Sequence, residues 1–193
     1  RRGGGRLICE GGYGGENSSK GKPAPRQQYI DRPGRCVYIG DISKIISPGM
    51  RTGYMLLPEG LLDTCPYAFA GYKCSVSWLE PKILDGFMAE GNMEKHIRKM
   101  SLVNKKRHDA LIDALTGAFG DTVRIHGQGA GLHLLLEFPQ GETESNLVEK
   151  AAEKGVKVYP GSPLWIENGE KPPTTILLGY GTLPDDKIHA AVA

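Results

Sequence analysis

Tyr38-Ile39-Gly40-Asp41-Ile42-Ser43-Lys44-Ile45-Ile46-Ser47-Pro48-Gly49-Met50-Arg51-Thr52-Gly53-Tyr54 is the stretch on which the fold of this chain turns. The run Cys36-Val37-Tyr38-Ile39 predicts a strand stopped by Gly40. Ser47-Pro48-Gly49 predicts a turn, and Tyr54-Met55-Leu56-Leu57 a further strand stopped by Pro58. Between the strands lies a polar turn with one lysine. A lysine in a loop after a strand forms a Schiff base with an aldehyde once its surroundings lower its pKa. Ser43 can donate to a phosphate, and Arg51 can grip the same phosphate through a forked pair of hydrogen bonds. The step from Lys44 to Arg51 lets the loop turn back so that both reach one ligand. Taken alone, these residues also suit an ordinary surface lysine and surface arginine, which composition by itself would favour.

Composition narrows the class. The chain has 193 residues, 24 Lys+Arg against 22 Asp+Glu, a net charge of +2 and 39% apolar residues. That length holds one or two domains and is ample for a core. The near-zero charge leaves no footprint for bulk nucleic-acid binding. No apolar run approaches the ~20 residues of a membrane span, which excludes a transmembrane protein. Cys9, Cys36, Cys65 and Cys74 form no CxxC pair and, without a signal peptide, read as reduced thiols of a cytoplasmic protein. Glycine is 27 of 193, roughly double the usual frequency. The opening Arg1-Arg2-Gly3, with no Met, predicts a cut end.

Outward from the lysine loop, Arg6-Leu7-Ile8-Cys9 predicts a buried strand and Gly11 to Gly15 a loop at its carboxyl end. Residues 20–35 predict a connection. Ile83, Leu84, Phe87 and Met88 share a helical face that Gly91 ends. Ile97, Met100, Val103, Leu111, Leu115 and Ala118 recur at helical period in a long amphipathic helix. Its basic face, Lys95 to Arg107, reads as a solvated surface. Strands follow over Val123–His126, Gly131–Phe138, Val156–Tyr159 and Thr175–Leu178. Helices are expected over Asn146–Lys154 and from Pro184 onward. Gly127 to Gly131 is a turn, because a strand rather than a helix comes next. His96, His108, His126, His133 and His189 show no metal-ligand spacing with the cysteines.

The lysine stretch resembles the active-site motif of fold-type I pyridoxal-phosphate enzymes, the class I/II aminotransferases. It is most similar to the aminotransferase-like domain of MocR-type regulators of the GntR superfamily, whose string resembles YIGTFSKTLAPGLRIGY. Glu90 to Met100 resembles that family's EGHFERHIRRM, Lys106 to Leu111 its KRRDALL, Gly129 to Leu136 its GAGLHLLL, and Leu177 to Tyr180 its last small-domain strand. The resemblance implies an α/β fold, the carboxyl-terminal part of a fold-type I transferase. Residues 1–92 would be the end of the large-domain mixed sheet, and residues 93–193 a small α/β domain entered through the long helix. It further implies that Lys44 carries pyridoxal 5'-phosphate as a Schiff base, that Ser43 and Arg51 hold its phosphate, and that the Tyr13 hydroxyl contacts the ring oxygen.

Departures from the family pattern bear on function. Gly11 stands where the family aspartate pairs with the pyridinium nitrogen, so carbanion stabilisation weakens. Asp41 stands where a Ser or Thr donates to the phosphate, and an anion there repels it unless protonated or turned away. Leu177 falls where aminotransferases place the arginine for the substrate carboxylate. Trp78 and Pro81 also differ from the family run. The family's amino-terminal DNA-binding winged helix and the first half of its large domain have no counterpart here. The expectation is therefore the effector-sensing module of a MocR/GntR-type regulator. It would bind pyridoxal phosphate, alone or with an amino compound, be cytoplasmic and homodimeric in the full protein, and reach DNA only through the missing domain. An active aminotransferase of amino acids and a truncated chain without a competent site are the alternatives.

Overall fold

Short runs of β-branched and aromatic residues closed by glycine or proline give the strands, and glycine after an amphipathic run ends the helices. The computed structural model describes residues 6–12, 25–32, 34–43, 45–74, 76–139, 141–166 and 173–192. Contacts divide the chain into two units, the first reaching Lys99 and the second running from Met100.

The first unit holds β1 (Ile8–Gly12), α1 (Gln27–Ile30), β2 (Cys36–Asp41), β3 (Gly53–Leu56), α2 (Glu59–Leu62), α3 (Cys65–Phe69) and α4 (Leu79–Ala89), followed by α5 (Asn92–Phe119), which continues into the second unit. Its mixed sheet has the order β1-β2-β3. β1 runs parallel to β2, with Ile8 opposite Cys36 and Gly12 opposite Gly40, and β3 runs antiparallel, with Gly53 opposite Asp41.

Several expectations shift. β2 runs on through Gly40 to Asp41, because antiparallel pairing with β3 supplies their partners, and β1, expected to be buried, leaves Ile8 49% exposed. β1 extends through Gly11 and Gly12, which the sequence reading assigned to a loop, because parallel pairing with β2 supplies their ladder partners. The connection before β2 contains α1. The Glu10 carboxylate accepts from the backbone N–H groups of Gln27 and Gln28 at 3.0 and 2.9 Å, filling donors that a helix start leaves open. These bonds, Gln28's first, hold the Glu10 carboxyl below the usual range. Asp31 likewise accepts from the N–H groups of Arg35 and Cys36 and aims the chain into β2. Gly91, at φ +68°, stops α4 in a conformation that L side chains resist, and α5 starts at the next residue.

The second unit adds β4 (Arg124–His126), β5 (His133–Glu137), α6 (Glu144–Glu153), β6 (Tyr159–Pro160), β7 (Thr175–Gly179) and α7 (Ile188–Val192). Its sheet, in the order β4-β5-β7-β6, is antiparallel throughout. Of the strand expected at 156–159 only Tyr159 pairs with β7, and β6 runs on to Pro160 instead. Leu134 and Leu136 of β5, Ile176 of β7, Leu111 and Leu115 of α5 and Ile188 of α7 form the core. Arg107 and Lys106 of α5 bind the Asp185 carboxylate ahead of α7, at 3.0 and 3.1 Å. No helix of the described residues is long and apolar enough to cross a membrane.

Candidate functional site

Parallel pairing places the carboxyl ends of β1 and β2 side by side, and the antiparallel return starts β3 at that same end. Three stretches of chain therefore meet there: the exit from β1, the exit from β2 and the entry into β3. Sheets of this kind bind ligands beyond the carboxyl ends of parallel strands. Ser43 and Arg51 belong to this end. Tyr13 and Lys44 lie outside the described residues, and their flanks, Gly12 on one side and Ser43 and Ile45 on the other, border it.

Glycines shape the strand ends. A Cβ on Gly12 would collide with the Tyr38 hydroxyl, and one on Gly40 with the Tyr54 ring. The two tyrosine rings, with centroids 6.0 Å apart, take the space that side chains would need. The Arg26 guanidinium lies 4.6 Å over the Tyr38 ring.

The loop after β2 is held closely. Asp41 accepts from the Ser43 N–H at 2.9 Å, the two-residue reach of an aspartate turn. Its carboxylate thus faces a backbone donor. Ile45 and Ile46 N–H both reach the Ile42 carbonyl at 3.0 Å, closing one turn onto Ile42. The buried Ser43 hydroxyl accepts from Thr52 N–H at 3.1 Å and lies 3.4 Å from the Thr52 carbonyl. Ile42 N–H also donates to that carbonyl, at 3.0 Å. The Thr52 hydroxyl is 2.9 Å from the Met50 carbonyl and 3.3 Å from the Glu80 carboxylate of α4. Nε2 of His96 in α5 is 2.9 Å from the Ile45 carbonyl. Thr52, Glu80 and His96 escaped the sequence reading as parts of this site. They act from up to 51 residues away, and no local spacing marks them.

Arg51 follows a tight turn, Pro48–Met50, and sits at φ 48°, ψ 31°. This left-handed conformation costs an L residue about 1 kcal/mol. Its side chain is exposed, and among the described residues no carboxylate pairs with it. The Ser43 hydroxyl, whose one proton meets a carbonyl at 3.4 Å, is tied to Thr52, and the exposed Arg51 precedes Thr52 in the chain, so one loop carries two residue types that donate to a phosphate. The residues thus fit the phosphate end of pyridoxal phosphate. The ring end is different. Gly11, within β1 opposite Ile39, offers no carboxylate for a pyridinium nitrogen.

In the second unit, Leu177 lies in β7 opposite Leu135 and Tyr159, in apolar company that cannot bind a carboxylate. A cleft of about 1000 Å³ lies among Asp121, Arg124, Glu137, Glu142 and Thr174 of that unit. Its charges pair with neighbours, Arg124 with Glu137 and Glu142 with Lys150, both at 3.5 Å. It contains none of the candidate residues, so the chemistry points to the strand ends and not to this cleft.

No protein-family model matches the chain. Over 188 residues it is 36% identical to an uncharacterized HTH-type transcriptional regulator, YhdI, of Bacillus subtilis (strain 168), a match that spans 96% of this chain and 39% of that protein. It is 27% identical over 173 residues to the probable rhizopine catabolism regulatory protein MocR of Rhizobium meliloti, spanning 90% of this chain and 35% of that one. Among solved structures, a multiple substrate aminotransferase from Thermococcus profundus superposes with a TM-score of 0.84 at 27% identity. That superposition covers 96% of this chain and 46% of the other. The chain spans about two fifths of the length of these curated relatives.

Proposed function

As a relative of the MocR/GntR-type HTH regulators that carries, over the part it spans, the fold-type I aminotransferase fold, this chain, we propose, contributes a pyridoxal-phosphate site to an effector-sensing module. The observation that carries the reading is the tie between the Ser43 hydroxyl, after β2, and the backbone of Thr52, the residue next to Arg51. Arg51 and Ser43 bind the phosphate, Lys44 supplies the amine for the cofactor aldehyde, and Tyr13 reaches the ring oxygen. The Asp41 carboxylate accepts from the Ser43 N–H, which occupies one of its oxygens. When bound, the cofactor provides an electron sink for an amino compound, and the protein's share is orientation and electrostatics.

Sensing is favoured over turnover. Gly11 supplies no counter-charge to the ring nitrogen, and Leu177 cannot anchor a substrate carboxylate. An effector that is pyridoxal phosphate itself, or an amino compound joined to it, needs neither group. Residues 1–92 belong on this reading to the cofactor-binding large domain and 93–193 to the small domain. In the whole protein a separate amino-terminal region would bind DNA and the assembly would be a cytoplasmic homodimer.

Titration of the purified chain with pyridoxal phosphate, followed by the near-visible Schiff-base absorption, tests this. A saturable band that Lys44→Ala abolishes is expected. No band, or one that the substitution leaves unchanged, overturns the reading.

A further inference from the structure

The loop after β2 is pinned at Ile42 and Ser43 and again at Ile45. At its start, Ile42 N–H and the Ser43 hydroxyl are tied to the Thr52 backbone. Its far end poses a problem, because a helical turn that stops after one repeat leaves its later carbonyls without intrahelical donors. A carbonyl left without a donor away from water costs stability. The Ile45 carbonyl is in this position, and His96 Nε2 meets it at 2.9 Å. A carbonyl can only accept, so His96 carries its hydrogen on Nε2 here.

The ring is fixed rather than loosely hung on a surface. It packs edge-on against Phe87 of α4, with centroids 6.4 Å apart and planes at 68°. The tight reversal at Gly91 lets α5 begin immediately after α4, which brings Phe87 and His96 together. Beside them Met93 and Leu84 are buried.

We propose that His96 is a positioning residue for the loop after β2: its Nε2–H holds the carbonyl of Ile45, the residue that follows Lys44 in the chain. The functional consequence rests on the reading of Lys44 given above, whereas the hold on Ile45 does not.

Two substitutions separate the donor from the ring. His96→Phe keeps the ring against Phe87 and removes the donor, and His96→Gln returns an N–H at a similar reach. Amide hydrogen exchange of residues 42–46, measured without cofactor, should speed severalfold in His96→Phe. Pyridoxal-phosphate affinity should fall about tenfold. His96→Gln should recover most of both. Unchanged exchange in His96→Phe, or equal loss in the two variants, overturns the proposal. A wild-type chain with no Lys44-dependent band overturns the proposed function instead, and the cofactor-free exchange still decides whether His96 holds the turn. Should His96→Phe fail to fold, nitrogen-15 NMR of the wild-type imidazole decides the matter. An Nε2–H ring supports the hold, and an Nδ1–H tautomer overturns it.

Discussion

Replacing Glu144 with alanine should destabilise the second unit by about 3 kcal/mol. The Glu144 carboxylate accepts from Ser162 N–H at 3.0 and 3.2 Å, from Thr175 N–H at 3.1 Å and from the Thr175 hydroxyl at 3.3 Å. It thereby ties the first turn of α6 to β7 and to the turn after β6. Thr175 is 0% exposed, so its N–H and hydroxyl lose their acceptor without gaining water. Each fully desolvated orphan costs about 1–3 kcal/mol. Ser162 is exposed and its amide rehydrates. Loss of an anion from the first turn of α6 adds about 0.3–1 kcal/mol. Urea unfolding followed by Trp165 fluorescence, in a Trp78→Phe background, reads this unit separately. A loss below about 1 kcal/mol would refute the reasoning, since it falls under the cost of a single buried orphan. The pH dependence gives a second check. Burial pushes the Glu144 carboxyl up, but the bonds from Ser162 and Thr175 outweigh it and hold the group below the usual carboxylate range. A folded-state value below the unfolded one contributes stability that is fully present above the unfolded pKa, near 4.3 for glutamate. That contribution is lost as pH falls through the folded value. The gap between wild type and Glu144→Ala should be widest at neutral pH and narrow in acid, and an equal gap at both would contradict the assignment.

The glycines at the strand ends should respond unequally. Gly12→Ala drives a Cβ into Tyr38, which is 1% exposed and cannot swing away, and should cost about 1–3 kcal/mol. Gly40→Ala meets Tyr54, which is 40% exposed and free to rotate, and should cost less than about 1 kcal/mol. Thermal unfolding of both variants followed by circular dichroism compares them, and equal losses would deny the role given to Tyr38. Arg51→Gly relieves a left-handed arginine, so stability should hold or rise by up to about 1 kcal/mol while pyridoxal-phosphate affinity drops at least about tenfold. Lower stability with unchanged affinity would show that Arg51 braces the loop and does not bind phosphate.

Periodicity marked the long helix α5 and the carboxyl-terminal strands well, because each buries one face and its apolar residues must recur at the helical or strand repeat. It failed where stability came from distant partners. Gly11 and Gly12 have no β propensity of their own, and they are strand because β2 lies alongside. The four-residue α1 is too short to stand by propensity and is fixed by Glu10, 17 and 18 residues earlier. Conversely, Val156–Tyr159 looks like a strand by composition, yet only its last residue finds a partner in β7.

The order of residues from Tyr38 to Tyr54 determined the strand, the turn, the one lysine and the arginine, since each is local: a β-branched run, a Pro-Gly stop, a charged side chain between them. Gly11 and Leu177 are likewise fixed by the order of residues, since neither carries a charged side chain. Tertiary structure alone decided what holds these groups. It turned Asp41 onto a backbone N–H, clamped Ser43 to Thr52 and set Glu80 and His96 against a loop dozens of residues away. Hydrogen bonds act over about 3 Å of space irrespective of distance along the chain, and only the folded backbone says which residues come that near.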